Sequence, residues 1–200
     1  MNITQSNGTP ATARRTFPHA FGRLATFLII LVSASVMPLS AQHDVHATLI
    51  PVANRKAPPT FDLMSAEAQK TRIADYRGKV VLLNFWATDC GGCVLEIPSF
   101  VALQAAYKTK GFTAVGVSMD IPYEDLKDAN QAWARVRPFM LKYKINYPIL
   151  MGDQSLIDTY DLKAFPATYL IDKSGKIAAV YVGVVSKDNV EANIKTLLSE

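Results

Sequence analysis

The chain contains two cysteines, Cys90 and Cys93, in the run Cys90-Gly91-Gly92-Cys93. Thiols three positions apart can close on one another, so the pair can cycle between dithiol and disulfide and carry two electrons. A static disulfide is the competing reading, but so small a ring removes little entropy from the unfolded chain and adds little stability. The run before the pair, Val80-Val81-Leu82-Leu83-Asn84-Phe85-Trp86, is apolar and β-rich, which predicts a buried strand. After it, Ile97, Val101 and Ala105 recur at four-residue spacing from Val94 towards Lys108, as one face of a helix requires. The cysteines therefore fall in a strand-to-helix turn, with Cys90 at the helix N-terminus. Free backbone N–H groups and the positive end of the helix dipole favour an anion there. A thiolate is such an anion, which makes Cys90 the attacking sulfur. Asp89, directly before it, acts in the opposite sense, since a carboxylate disfavours a neighbouring thiolate.

The remaining elements fit a mixed sheet with helices on both faces. A short strand is predicted over 60–64, a turn over 75–79 feeding the central strand, and a second buried strand over 112–119 after a stop at Gly111. The segment 122–144 is predicted as a loop and a helix whose Trp133, Val136, Met140 and Tyr143 share a core-facing stripe. Pro138 should start, kink or split that helix. A short strand over 147–151 and one helical turn over 155–160 come next. Strands over 168–172 and 177–182 are joined by Lys173-Ser174-Gly175-Lys176, the turn of an antiparallel hairpin. A closing helix over 188–198 has Ser186 as its cap.

The first forty residues stand apart from this pattern. Arg14, Arg15 and Arg23 precede the first acidic residue, Asp44, and 24–39 is an apolar run ending in small residues. That is the form of an export signal over 1–41, with cleavage before Gln42, or alternatively of a signal anchor. Arg14-Arg15 is read as n-region charge, with a twin-arginine signal as the weaker match. Residues 42–56 read as a tether and 57–200 as the folded domain. The formal charge of +4 lies almost wholly in the leader, so the folded part has no basic excess for nucleic acid. Its histidines, His19, His43 and His46, all fall outside the domain. A Cys–His hydrolase therefore lacks its base and a zinc site lacks ligands. Glycine-rich phosphate motifs are absent, and no cofactor or metal is expected.

The run Asn84-Phe85-Trp86-Ala87-Thr88-Asp89-Cys90-Gly91-Gly92-Cys93, followed by Glu96-Ile97-Pro98, resembles the active-site signature of TlpA/ResA-type thioredoxin-like thiol-disulfide oxidoreductases of the AhpC/TSA–redoxin superfamily. Tyr76-Arg77-Gly78-Lys79, Phe165-Pro166-Ala167-Thr168 and Leu170-Ile171-Asp172-Lys173-Ser174-Gly175-Lys176 extend the match from about Ala57 to the C-terminus. The resemblance implies an α/β thioredoxin-like fold, with Cys90 as exposed nucleophile and Cys93 as buried resolving thiol. It makes Pro166 a cis-proline against the dithiol, and Glu96 an acid suited to proton exchange with Cys93. Asn84 stands where thioredoxins carry a titratable carboxylate, which leaves that role to Glu96; the alternative is a glutamate that merely complements the helix dipole. Trp86, Asp89, Gly91, Gly92 and Phe165 border the pair as candidate substrate contacts, with Trp86 read first as packing beneath the loop. Three departures from the family pattern bear on potential and partner choice: the charged Asp89, the absence of proline before Cys93, and the apolar Phe165-Pro166-Ala167 lip.

By this resemblance the protein is an exported enzyme that reduces disulfides of periplasmic proteins, as in cytochrome c or copper-centre maturation. Its electrons would come from a membrane thiol carrier, and residues 24–39 are a possible membrane tether. The alternative is a metallochaperone holding Cu(I) between Cys90 and Cys93, with Met119 or Met151 approaching through folding. A peroxidase of the related peroxiredoxin type lacks its Pro-x-x-x-Thr-x-x-Cys loop here.

Overall fold

The computed structural model describes residues 44–200; the leader expected over 1–41 and the anchor alternative at 24–39 lie outside them. The elements are β1 (Asp62–Met64), β2 (Lys70–Arg72), β3 (Val80–Trp86), α1 (Gly91–Tyr107), β4 (Phe112–Ser118), α2 (Asp120–Tyr123), α3 (Ala129–Lys142), β5 (Ile149–Met151), α4 (Gln154–Thr159), β6 (Ala167–Ile171), β7 (Ile177–Val182) and α5 (Lys187–Ser199). A five-stranded sheet has the order β5-β4-β3-β6-β7, and β1-β2 form a separate hairpin. Strand β3 is central, parallel to β4 and antiparallel to β6. The predicted hairpin is β6-β7, antiparallel, with its register offset by one residue between Leu170 and Ile171.

Alternation along β3 divides the core in two. Val80, Leu82 and Trp86 face the cluster built with Phe100 of α1, Val136 of α3 and Ile194 of α5. Val81, Leu83 and Phe85 face the other, with Leu156 of α4, Tyr160 and Phe61. Successive strand side chains point to opposite faces, so Asn84 must lie on the α1 side with Leu82 and Trp86. That places a polar residue directly beneath the helix carrying the cysteines.

Three local expectations need correction. The buried stripe of α1 is Cys93, Glu96, Ile97, Phe100, Leu103, Gln104 and Tyr107, whereas Ala105 is exposed. Four residues advance a helix by slightly more than one turn, so a strict four-residue spacing walks off the buried face. Helix α3 runs continuously through Pro138 instead of starting or breaking there. Ser186 does occupy the N-cap of α5, but its side chain makes no capping hydrogen bond.

The stretch read as a tether also belongs to the packed structure from Asp44 onward. Val45, Ala47 and Leu49 are half-buried and alternate with exposed Asp44, His46 and Thr48, a strand-like period that is too short to stand out in the sequence. Ile50 N–H donates to Ala178 O at 2.7 Å, and Ile177 N–H donates to Lys56 O at 2.8 Å, so the segment runs beside β7. Arg55, 6% exposed, closes it with ion pairs to Asp172 at 3.1 Å and Glu200 at 2.5 Å.

Candidate active site: the Cys90–Cys93 turn

Strand β3 ends at Trp86, and four residues later Cys90 is the N-cap of α1, as the strand-to-helix reading requires. The two sulfurs are joined as a disulfide, and Cys90 Sγ accepts a hydrogen bond from Cys93 N–H at 3.3 Å. Cys90 is 5% exposed and Cys93 1%. The order of accessibility is the expected one, but in this oxidised form Cys90 is not the exposed residue the resemblance implies. Gly91 is exposed and Gly92 half-buried. A Cβ at position 92 would lie 3.2 Å from Val184 Cγ2 and 3.4 Å from Pro166 Cδ, so glycine admits both neighbours to the turn. The Phe165–Pro166 peptide is cis. Phe165 is half-buried, edge-on to Tyr123 with ring centroids 5.8 Å apart.

The loop from Ala87 to Cys90 is held from below by a residue that sequence reasoning missed. Asp120, fully buried, accepts from Thr88 N–H at 3.2 Å, from Thr88 Oγ1 at 2.5 Å and from Ser118 Oγ at 2.7 Å. The only signal for it was a polar pair, Ser118 and Asp120, at the carboxyl end of the strand parallel to β3, where sites in such sheets form. Trp86 is 1% exposed and packs on Phe139 with centroids 5.1 Å apart, so it contacts the core and not a substrate. A Cβ on Gly116 would lie 2.8 Å from its indole Nε1, so that glycine makes room for the ring.

Asp89 is exposed but not alone. Arg135 of α3 lies 3.3 Å from its carboxylate and 3.0 Å from that of Glu124. One guanidinium thus serves two carboxylates, and the trio keeps one net negative charge beside Cys90. An open cleft of about 510 Å³ adjoins it, lined by Thr88, Val94, Phe139, Lys142 and Tyr143 among others.

Glu96 lies one helical turn past Cys93 and is 2% exposed. Its Oε1 accepts from Val185 N–H at 2.7 Å and its Oε2 from Asn84 Nδ2 at 3.3 Å. Asn84 Nδ2 also donates to Thr168 Oγ1 at 2.9 Å. Burial pushes the Glu96 carboxyl up to about 8; the Val185 and Asn84 donors pull it down, and the Asp44 carboxylate adds to the rise. The dipole-complementing alternative does not fit a carboxyl group so far from solvent. Asn84 suits either protonation state. Its amide offers Nδ2 to an ionised carboxylate or, turned over, Oδ1 to a protonated one, and the Thr168 hydroxyl can accept or donate in step. Glu96 is thus a buried carboxyl group with a raised pKa, one helical turn from the buried Cys93.

A cysteine pair that opens and closes at the end of a central strand has thiol–disulfide exchange as its chemistry. On this sheet it defines an enzyme of the thioredoxin fold, a thiol-disulfide oxidoreductase. The chain belongs to the AhpC/TSA family, whose model matches residues 53–180. It is 32% identical over 136 residues to the thioredoxin-like protein YneN of Bacillus subtilis, covering 68% of this chain and 75% of that one. It is 28% identical over 171 residues to the thiol-disulfide oxidoreductase ResA of Geobacillus thermodenitrificans, covering 85% and 91%. Among solved structures, a putative thiol:disulfide interchange protein DsbE from Chlorobium tepidum superposes with a TM-score of 0.62 at 28% identity, over 72% of this chain and 96% of that one.

Proposed function

We propose that the protein is a reductase: its Cys90–Cys93 dithiol reduces disulfides of exported proteins in the bacterial periplasm, and a membrane thiol carrier restores it. The observation that carries this reading is the acidic surroundings of the pair. Asp89 directly precedes Cys90, the single cation Arg135 is shared between Asp89 and Glu124, and the buried Asp120 holds the loop at Thr88. Strong oxidants of this fold owe their potential to a stabilised thiolate. Here the field of carboxylates opposes the thiolate, which favours the disulfide and makes the dithiol a reductant. Support for export comes from the arginine-led apolar run ending at Leu39 and from relatives of the ResA and DsbE types.

In this mechanism the Cys90 thiolate attacks one sulfur of the substrate disulfide. The substrate S–S bond breaks, and the departing thiolate takes a proton from water. The Cys93 thiol then passes its proton to the Glu96 carboxylate. Burial holds the Glu96 carboxyl group up to about 8, far enough above an ordinary carboxylic acid for its ionised form to take a thiol proton near neutral pH. The Cys93 thiolate attacks Cys90 Sγ, the Cys90–substrate bond breaks, and Glu96 returns its proton to the second departing sulfur. Two electrons have passed from the dithiol to the substrate. Pro166 and the Phe165 carbonyl side of its cis peptide border the turn on the side where substrate backbone would lie.

The test is to trap partners with Cys93→Ser in the full chain, which stalls at the mixed disulfide. The reading expects exported proteins with reducible cysteine pairs, apo-cytochrome c or copper-site proteins among them, linked through Cys90. If no protein is captured and the wild type binds Cu(I) tightly, the metallochaperone reading replaces it.

A further inference from the structure

The residues just after the leader reach the active site through two backbone hydrogen bonds. Val45 N–H donates to Val184 O at 2.7 Å, and Ser186 N–H donates to Val45 O at 2.9 Å. Together they form a parallel bridge between Val45 and Val185. The bonds bracket Val185, whose own N–H points the other way and donates to Glu96 Oε1 at 2.7 Å. Gly183 N–H still donates to Pro166 O at 2.8 Å, but the β6-β7 register ends at Val182, and the Val45 bridge is the strand-like pairing at Val185 itself. The packing is tight. A Cβ on Gly183, whose φ is +109°, would lie 3.1 Å from Val45 Cγ2. Two further bonds seat the segment on α5: Ala47 N–H donates to Asn189 Oδ1 at 3.0 Å, and Asn193 Nδ2 donates to Ala47 O at 2.9 Å.

We propose that residues 44–47 are a positioning segment of the active site: paired with residues 184–186, they fix the Val185 N–H that holds the Glu96 carboxyl group, and they carry the Asp44 carboxylate next to that pairing. The segment thereby sets the pH at which Glu96 takes and returns the Cys93 proton, and couples the chain's route out of the leader to the resolving step. The titratable groups whose charge bears on Glu96 are few. Asp44 comes from the segment, Tyr147 from the loop before β5, and Cys93 lies one turn away on α1. Those from β3, β6 and the 183–186 loop, Asn84, Thr168 and Val185, are uncharged. The coupling to thiol chemistry rests on the relay role given to Glu96 above; the clamp on the Glu96 carboxyl group does not.

The experiment follows the Glu96 carboxyl resonance against pH in the full oxidised chain labelled with carboxyl-¹³C glutamate, assigned by its loss in Glu96→Gln. Val45→Pro removes the donor to Val184 and is expected to raise the Glu96 midpoint by about one pH unit, as loss of a hydrogen bond to a charged group predicts. Val45→Ala keeps both backbone bonds and should keep the wild-type midpoint. Asp44→Asn should lower it by a few tenths of a unit, as expected for a partly solvated charge, and decides the matter if Val45→Pro does not fold. A midpoint unmoved by Val45→Pro in a folded chain, or unmoved by Asp44→Asn, overturns the proposal. The pH dependence of Cys93 alkylation in the reduced variants separates the two readings. If the Glu96 midpoint moves and the alkylation profile does not follow, the clamp stands and the relay falls.

Discussion

Replacing Glu96 by glutamine should make the protein more stable at alkaline pH while leaving it unchanged in mild acid. The carboxyl group is 2% exposed, and burial moves it from an ordinary 4.5 to about 8. Between those values the folded chain holds one proton that the unfolded chain has lost, so unfolding releases it and stability falls as pH rises. The slope is about 1.4 kcal/mol per pH unit, and over the full interval the loss is about 5 kcal/mol. The Glu96 contribution is complete below the unfolded value and gone above the folded one. Glutamine is isosteric, keeps its carbonyl towards Val185 N–H, and can donate to Asn84 once that amide turns over, so it mimics the protonated acid. Urea unfolding of the oxidised wild type and Glu96→Gln, repeated from about pH 4 to about pH 8.5, gives the difference directly. The depressed carboxylates, such as Asp172 and Glu200 beside Arg55, cancel because both proteins carry them. The reasoning predicts equal stability at the acid end and a glutamine variant several kcal/mol ahead at the alkaline end. Parallel curves across the range would refute it, since a group ionised in both states contributes no slope.

Asp89→Asn should lower the Cys90 thiol pKa and speed its alkylation at neutral pH, whereas Arg135→Ala, which leaves Asp89 and Glu124 unpaired, should raise it; both effects are a few tenths of a unit for so exposed a pair and are read from rate–pH profiles of the reduced protein. Gly116→Ala drives a methyl to 2.6 Å from Ile149 Cδ1 and 2.8 Å from Trp86 Nε1, an overpacking cost of about 1–3 kcal/mol visible as a lower Tm and a changed Trp86 fluorescence. Arg55→Ala leaves Asp172 buried without its cation and should cost about 3 kcal/mol by urea unfolding. Thr168→Val deprives Asn84 of its second partner and should displace the Glu96 midpoint without changing the fold, measured by the same carboxyl titration.

The parts of the site that could be read in advance are those carried by local pattern. An apolar run of seven, a cysteine pair and a helical spacing place the turn, and Ser-Gly at 174–175 marks the hairpin. The polar partners were not legible, because each depends on a long-range contact. Asp120 reaches Thr88 from 32 positions away, and Arg135 reaches Asp89 from 46. Asn84 was visible as an oddity in an apolar strand, but its bond to Thr168 appears only when β3 and β6 pair, with Asn84 opposite Thr168. Glu96 was legible as a candidate acid, yet its burial follows from Val185 and the segment at Val45, joined to it only in the folded chain. That segment was misread because its alternation is brief, His46 falls within it, and the apolar run of 24–39 draws the eye before it. Trp86 was an ambiguous aromatic until Gly116 and Phe139 enclosed it.

The central claim is that the carboxylates on the Cys90 side of the pair, Asp89 and Glu124 around Arg135, make the couple a reductant. It is tested most directly by the midpoint potential of the pair, equilibrated against thiol buffers of known potential at neutral pH. The account predicts a value at or below about −270 mV, the range of thioredoxin. A value near about −120 mV, that of a strong disulfide donor whose thiolate is stabilised, would contradict it.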